Sequence, residues 1–277
     1  MALQPRVFLK RAMTTVIGGL AVFFLVFFPP LYVFEMLLLV LAVLAVFEFN
    51  AIAKGFSQRI FLTPTVLFLV LGFLAHHHFL PLAFLPYLAV LLASLWSLYS
   101  TKFMKNSLPV LGMTLVAMAY VGFSFFSLVG IFRLSWEGQS DFGRHLLLFY
   151  LALVWSGDSA AYILGSVFGK HKISPTISPN KSWEGTLGHF AGVLLAGFLG
   201  RHFFFPMLGV RDVIVLSAVF SLFGFWGDLV ESSWKRGSDI KDSGHLLPGH
   251  GGILDRVDSI YLTAPIFWWF FAEFSQY

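Results

Sequence analysis

The chain alternates long apolar runs with short polar stretches. A run of about 20 apolar residues is the length a helix needs to cross the hydrocarbon core of a bilayer. Nine such segments are predicted, over residues 12–28, 31–53, 60–75, 80–98, 109–133, 143–168, 183–205, 212–232 and 254–272. Pro81 and Pro86 interrupt the apolar region that holds the third and fourth, so the boundary between these two is the least sharp. The expected fold is all-α, a polytopic integral membrane protein with about nine transmembrane helices. The division expected is an N-terminal set of helices (1–108) and a C-terminal region (109–277) within one integral unit.

Composition points the same way. Hydrophobic residues make up 58% of the chain and charged residues 12%, whereas soluble domains are nearer one quarter charged. The absence of cysteine excludes a disulfide framework, thiolate catalysis and a Cys-based zinc site. A net charge of +4 gives no ground for a nucleic-acid partner. Arg6, Lys10 and Arg11 precede the first run as in a signal peptide, but the apolar stretch continues past Pro29 and Pro30 without a small-residue cleavage site. A first transmembrane helix with a basic flank is expected instead.

The positions of the charges orient the bundle. With nine spans, one side receives Arg6, Lys10, Arg11, Lys54, Arg59, Lys102, Lys105, Lys170, Lys172, Lys181, Lys235, Arg236 and Lys241. The other receives Arg133, Arg144, Arg201 and Arg211, and Arg256 begins the last run. The positive-inside rule then places the N-terminus and the polar loops after the sixth and eighth runs in the cytoplasm. An error of one span before Lys170 would split the positives between sides.

Chemistry concentrates between Asp228 and Asp258. Lys235, Arg236, Lys241 and Arg256 alternate there with Asp228, Asp239, Asp242, Asp255 and Asp258. Such a cluster beside apolar spans is costly unless it binds something charged. Lys235 and Arg236 suit phosphate oxygens. Gly251 and Gly252 allow close approach to the backbone, and the helix that follows is expected to offer free N–H groups to an anion. Asp255 and Asp258 are three apart and share a helix face, a placement suited to magnesium beside phosphate.

Upstream, Ser178-Pro179-Asn180 makes an extended or turning loop, and Ser182 is a candidate N-cap. Asn180 and Lys181 are candidate phosphate contacts at that helix start. Asp158 and Asp228 lie inside spans and are expected to face a polar cavity. For Asp158, a helix-to-helix hydrogen bond is an equal alternative. Glu48 reads as an interface residue only. The tract His76-His77-His78 reads as a polar turn, since consecutive helical residues point apart. Gly188, Gly192, Ala196 and Gly200 form a small-residue stripe for close packing, within the monomer or in a homodimer. The run Phe267-Trp268-Trp269-Phe270-Phe271 is expected as an interfacial belt.

The order of these residues resembles the phosphatidate cytidylyltransferase (CDP-diacylglycerol synthase) family. Its long motif matches Ser232, Lys235-Arg236, Lys241-Asp242, Pro248, His250-Gly251-Gly252, Asp255-Arg256 and Asp258. Trp234 departs, standing where an aliphatic residue or Phe is usual. A second motif matches Ser178-Pro179, Lys181-Ser182 and Glu184-Gly185. So many fixed positions are far more specific than a lone glycine motif.

The resemblance implies an enzyme of phospholipid biosynthesis in the inner membrane of a bacterium, with its active site on the cytoplasmic side between the C-terminal helices. Its substrates would be CTP and phosphatidic acid, and its products CDP-diacylglycerol and pyrophosphate. Its cofactor would be Mg2+, with room for a second cation. Asp228 resembles the family's metal-binding aspartate. The implied metal ligands are Asp228, Asp255 and Asp258, with Lys235 joining them in the catalytic set. The implied substrate contacts are Asn180, Lys181, Ser232, Arg236, Lys241, His250, Gly251, Gly252 and Arg256. A CTP-dependent polyprenol or phytol kinase would share membrane, CTP and magnesium, but it transfers the γ-phosphoryl group. A secondary transporter would explain carboxylates inside spans, but not the Lys-Arg, His-Gly-Gly, Asp-Arg, Asp series.

Overall fold

The computed structural model describes residues 19–77, 82–100, 105–136, 139, 141–244 and 251–274. The basic N-terminal flank, Lys102, His78, Pro248 and His250 lie outside them. Helices stand at each of the predicted runs. They are α1 (19–27), α2 (Leu31–Gly55), α3 (Leu62–His76), α4 (Leu85–Tyr99), α5 (Ser107–Ala117), α6 (Phe123–Arg133), α7 (Phe142–Phe168), α8 (Trp183–Phe203), α9 (Val210–Gly237) and α10 (Leu254–Phe274). α5 and α6 are one continuous rod joined by a π-helical turn at Met118–Gly122.

Among the described residues, four rods are long and apolar enough to cross a membrane: α2, α5–α6, α7 and α9. α3 and α4 are shorter apolar helices. Large apolar side chains exposed along α2, α7, α8 and α9, such as Phe47, Ile163, Leu187 and Leu222, are the surface a bilayer would solvate. The protein is an integral membrane protein with an all-α architecture. Besides an isolated bridge between Trp136 and Gln139, it contains a hairpin of β1 (Lys172–Ser174) and β2 (Ser178–Ser182), paired antiparallel with Lys172 opposite Ser182 and Ser174 opposite Ser178. The loop predicted as extended is therefore a paired ribbon.

α10 is the central element. Ile253, Leu254 and Tyr261 join an apolar cluster with α2, α3, α5 and α6. Ile260, Ala264, Phe267 and Phe271 join a second cluster with α6, α7 and α9. Tyr150 on α7 donates to the Ile260 carbonyl and lies 2.8 Å from Thr263 Oγ1, which fixes α10 against α7. This corrects the expectation of an aromatic belt. Phe267 and Phe271 are buried, Trp268 packs beside Gly130 and His76, and only Trp269 is strongly exposed. Consecutive residues on a helix covered on most sides cannot all face lipid.

The glycine stripe on α8 packs within the monomer. A Cβ at Gly188 would meet the Ala160 carbonyl, one at Gly192 the Ser156 carbonyl, and one at Gly200 the Phe149 ring. α8 and α7 therefore touch nearly backbone to backbone. The histidine tract is more than a polar turn. His77 Nε2 lies 3.3 Å from Glu35, and Arg133 pairs with the same fully buried carboxylate, so α2, α3 and α6 are tied together at one end.

Candidate active site

The two motif-bearing stretches meet at one corner of the bundle. β2 carries Asn180 and Lys181 into the start of α8. There Ser182 Oγ accepts from the Gly185 N–H at 3.2 Å, the expected N-cap. Glu184 turns back and accepts from the His171 N–H and ring, bracing the hairpin. Lys181 then reaches α9. Its Nζ lies 2.8 Å from Asp228 Oδ2, donates to the Phe225 carbonyl at 3.2 Å, and stands 4.8 Å from the centre of the Phe225 ring. Ser232 Oγ donates to the other Asp228 oxygen at 3.1 Å.

A cavity of about 360 Å³ opens beside this pair. Its polar lining includes Asp158 and Tyr162 from α7, Asn180, Lys181 and His189 from the hairpin and α8, Asp228 from α9, and Asp258 and Ser259 from α10. Gly227 is what brings α9 and α10 together here, since a Cβ on it would press on the Asp258 carbonyl. Asp258 Oδ1 accepts from the Ser259 N–H at 2.7 Å. Asp158 lines this cavity and also faces His189 of α8 across 3.6 Å.

His189 is a cavity residue that sequence reasoning missed. Ser221 donates its hydroxyl to the Ser217 carbonyl at 2.8 Å, so at 3.2 Å it accepts from His189 Nδ1. Nε2 is thereby turned toward Asp158, 3.6 Å away. A histidine inside a glycine-rich span was the available signal.

A second cluster lies where α9 ends and α10 begins. Lys235 Nζ sits 3.1 Å from Glu231 Oε1 and 2.6 Å from Asp255 Oδ1. The other Asp255 oxygen accepts from the Ser243 N–H (2.8 Å) and the Gly252 N–H (2.8 Å), and Ser243 Oγ lies 3.0 Å away. Glu48, from α2, accepts from the Ile253 and Leu254 N–H groups at 2.9 Å each and lies 3.0 Å from Ser243 Oγ.

These bonds overturn one expectation. The N–H groups leading into α10 are not open to a substrate anion, because Asp255 holds that of Gly252 and Glu48 holds those of Ile253 and Leu254. An internal carboxylate at a helix N-terminus satisfies both the orphan donors and the dipole, and so displaces an external anion. The close approach that Gly252 permits is likewise made by Glu48 and Ser243, the atoms a Cβ there would strike. Gly251 has φ +81, which glycine adopts without strain. Glu48, read as an interface residue only, proves to be a capping residue reaching over 200 positions along the chain.

The expected metal ligands separate. Asp228 and Asp258 line the cavity; Asp255 does not. Among the described residues no group of three His, Cys, Asp or Glu side chains converges closely enough to hold an ion by itself. Magnesium takes hard oxygen donors and keeps several from water and substrate phosphate. The carboxylates of Asp228 and Asp258 on adjoining helices, with Asp158 on the same cavity, fit that chemistry. Asp255 does not, because it lies off the cavity and its oxygens are held by two backbone N–H groups and Lys235. Arg236, Lys241 and Arg256 are exposed, and Arg236 Nε lies 3.5 Å from the Ile177 carbonyl of the hairpin.

Residues 9–274 match the cytidylyltransferase family. A phosphatidate cytidylyltransferase of Haemophilus influenzae is 42% identical over 149 residues, 51% of this chain and 52% of that protein. Those of Staphylococcus saprophyticus and Staphylococcus aureus are each 41% identical over 152 residues, 55% of both chains. The chain thus spans about half the length of the curated relatives it matches. The family match takes in both motif stretches and every helix that lines the cavity, and on it the chain belongs to the cytidylyltransferase family.

Proposed function

We propose that this chain transfers the cytidylyl group of CTP to phosphatidic acid. A phosphate oxygen of the lipid attacks the α-phosphorus of CTP. The bond from that phosphorus to the bridging oxygen breaks, and pyrophosphate leaves with the electron pair. Both substrates are polyanions, so the obstacle is charge repulsion, and positioning with charge stabilisation does the catalysis. The lipid phosphate is already ionised, so no strong base is needed.

The observation that carries this reading is the Lys181–Asp228 pair at the cavity. It joins the two motif stretches and sets a cation and a carboxylate side by side where a metal–phosphate ligand would lie. Bound phosphate gives Lys181 a second anion to pair with, which frees Asp228 oxygen for a cation. Magnesium, held by Asp228 and Asp258, would neutralise the leaving pyrophosphate. Asp158 and His189 line the same cavity. Lys235, fixed by Glu231 and Asp255, and the exposed Arg236, Lys241 and Arg256 supply positive charge toward incoming phosphates. Asp255 serves in this scheme by holding Lys235 and the loop ends.

The same reading places nine spans in a bacterial inner membrane, with the N-terminus and the site cytoplasmic and the last residue outside. The support is the lopsided distribution of Lys and Arg together with helices at the predicted runs. A reporter inserted at Gly237 should then map to the cytoplasm and one fused after residue 277 to the outer side; both on one side would refute the odd span count. The activity itself is tested with purified protein, α-labelled CTP and phosphatidic acid. Label in the lipid with release of pyrophosphate is the expected result. Unlabelled phospholipid with labelled CDP would make this a lipid kinase instead.

A further inference from the structure

We propose that Glu48 is a positioning residue for the reaction: from α2 it sets the start of α10, and with it Asp258 and the Asp255–Lys235 pair, in working geometry. This rests on the cytidylyl-transfer reading above. Glu48 is 6% exposed, and its carboxylate meets the Ile253 and Leu254 N–H groups, where α10 begins, at 2.9 Å and Ser243 Oγ at 3.0 Å. Charge-assisted bonds of this kind are short and directional. The local backbone is shaped to receive it, because a Cβ at Gly244 or Gly252 would strike the Glu48 carboxylate.

The contacts continue toward the chemistry. Ser243 Oγ lies 3.0 Å from both Glu48 and Asp255, and its one proton serves one carboxylate at a time. Asp255 holds Lys235, and Lys235 holds Glu231 on α9. One turn further along α10 is Asp258, on the cavity wall. A carboxylate on the second helix thus fixes where the last helix begins, and a shift of that start moves both clusters together. Misplacement by about 1 Å is enough to slow a positioned reaction by ~100-fold.

The test compares purified wild type, Glu48→Gln, Glu48→Asp and Ser243→Ala in two measurements. Glu48→Gln should lower kcat about 10- to 100-fold per folded molecule while KM for CTP stays within about twofold. Glu48→Asp should recover part of the loss. Amide exchange at Ile253 and Leu254 should quicken in Glu48→Gln. If Glu48→Gln does not fold, Ser243→Ala carries the same comparison with a several-fold drop in kcat. An unchanged kcat overturns the proposal, whether or not exchange quickens. So does a loss of rate that only tracks the loss of folded protein. Should wild type make no CDP-lipid, the reaction reading fails, and the exchange measurement alone still reports whether Glu48 holds the helix start.

Discussion

Two sets of carboxylates lie within a few turns of each other, and they differ in what satisfies them. Around the start of α10, Glu48 and Asp255 are saturated by backbone N–H groups, Ser243 and Lys235. In the cavity, Asp228 takes one side-chain donor on each oxygen, Asp258 the N–H of the next residue, Asp158 faces His189, and all three border open space. A buried carboxylate without compensation is unfavourable, so the first set stabilises the fold with its own donors. The second set borders space that a partner from outside the chain can enter. Position in a motif does not separate the two, since Asp255 and Asp258 stand three residues apart. What separates them is capture of several backbone N–H groups from a distant segment, away from the cavity.

The largest effects are expected in the cavity. Asp228→Asn and Asp258→Asn should each lower CDP-lipid formation by about 100-fold or more without loss of folded protein. The double variant should lose far less than the product of the two single effects, because members of one site act as a unit. Independent, multiplying losses would separate them. Asp255→Asn comes next. It strips Lys235 of one carboxylate and the loop of an acceptor, so stability should fall by about 3 kcal/mol, along with the rate. Thermal unfolding in detergent checks it, and unchanged stability would remove Asp255 from the saturated set.

A smaller effect on chemistry is expected far from the site. Glu35 and Glu48 lie on α2 about 20 Å apart by helical rise. Arg133→Leu leaves Glu35 without its main cation and should cost about 3 kcal/mol of stability. The rate per folded molecule should stay near wild type, and a large drop there would show that the far cluster also shapes the site. Least of all for the chemistry, Gly192→Leu should overpack α7 against α8 and cost about 1–3 kcal/mol. It would do so without changing the magnesium requirement, measurable in the same preparations.

Much of this was legible in the residues. The apolar runs marked the helices, because a bilayer or a core demands uninterrupted apolar length. The Ser182 cap and the extended 178–180 stretch followed from local backbone chemistry. Asp228 and Asp258 were found as carboxylates beside spans. What the residues did not show is long-range pairing. Nothing near Glu48 signals that its partners are the Ile253 and Leu254 amides, and free N–H groups at a helix start look the same on paper whether a substrate or a distant side chain takes them. The bonds from Ser243 and Gly252 to Asp255 were invisible for the same reason, since they depend on a loop returning. The aromatic run near residue 269 looked interfacial because its sequence neighbours say nothing of how many helices surround α10.

The central distinction between saturated and cavity carboxylates has one direct test. The rate of CDP-lipid formation is measured against magnesium concentration for wild type, Asp228→Asn, Asp258→Asn and Asp255→Asn at saturating CTP. The expected result is a magnesium midpoint raised in the first two variants and unchanged in Asp255→Asn, however slow each is. A midpoint raised equally by Asp255→Asn, or unchanged in all three, would contradict the division and the assignment of the metal to the cavity.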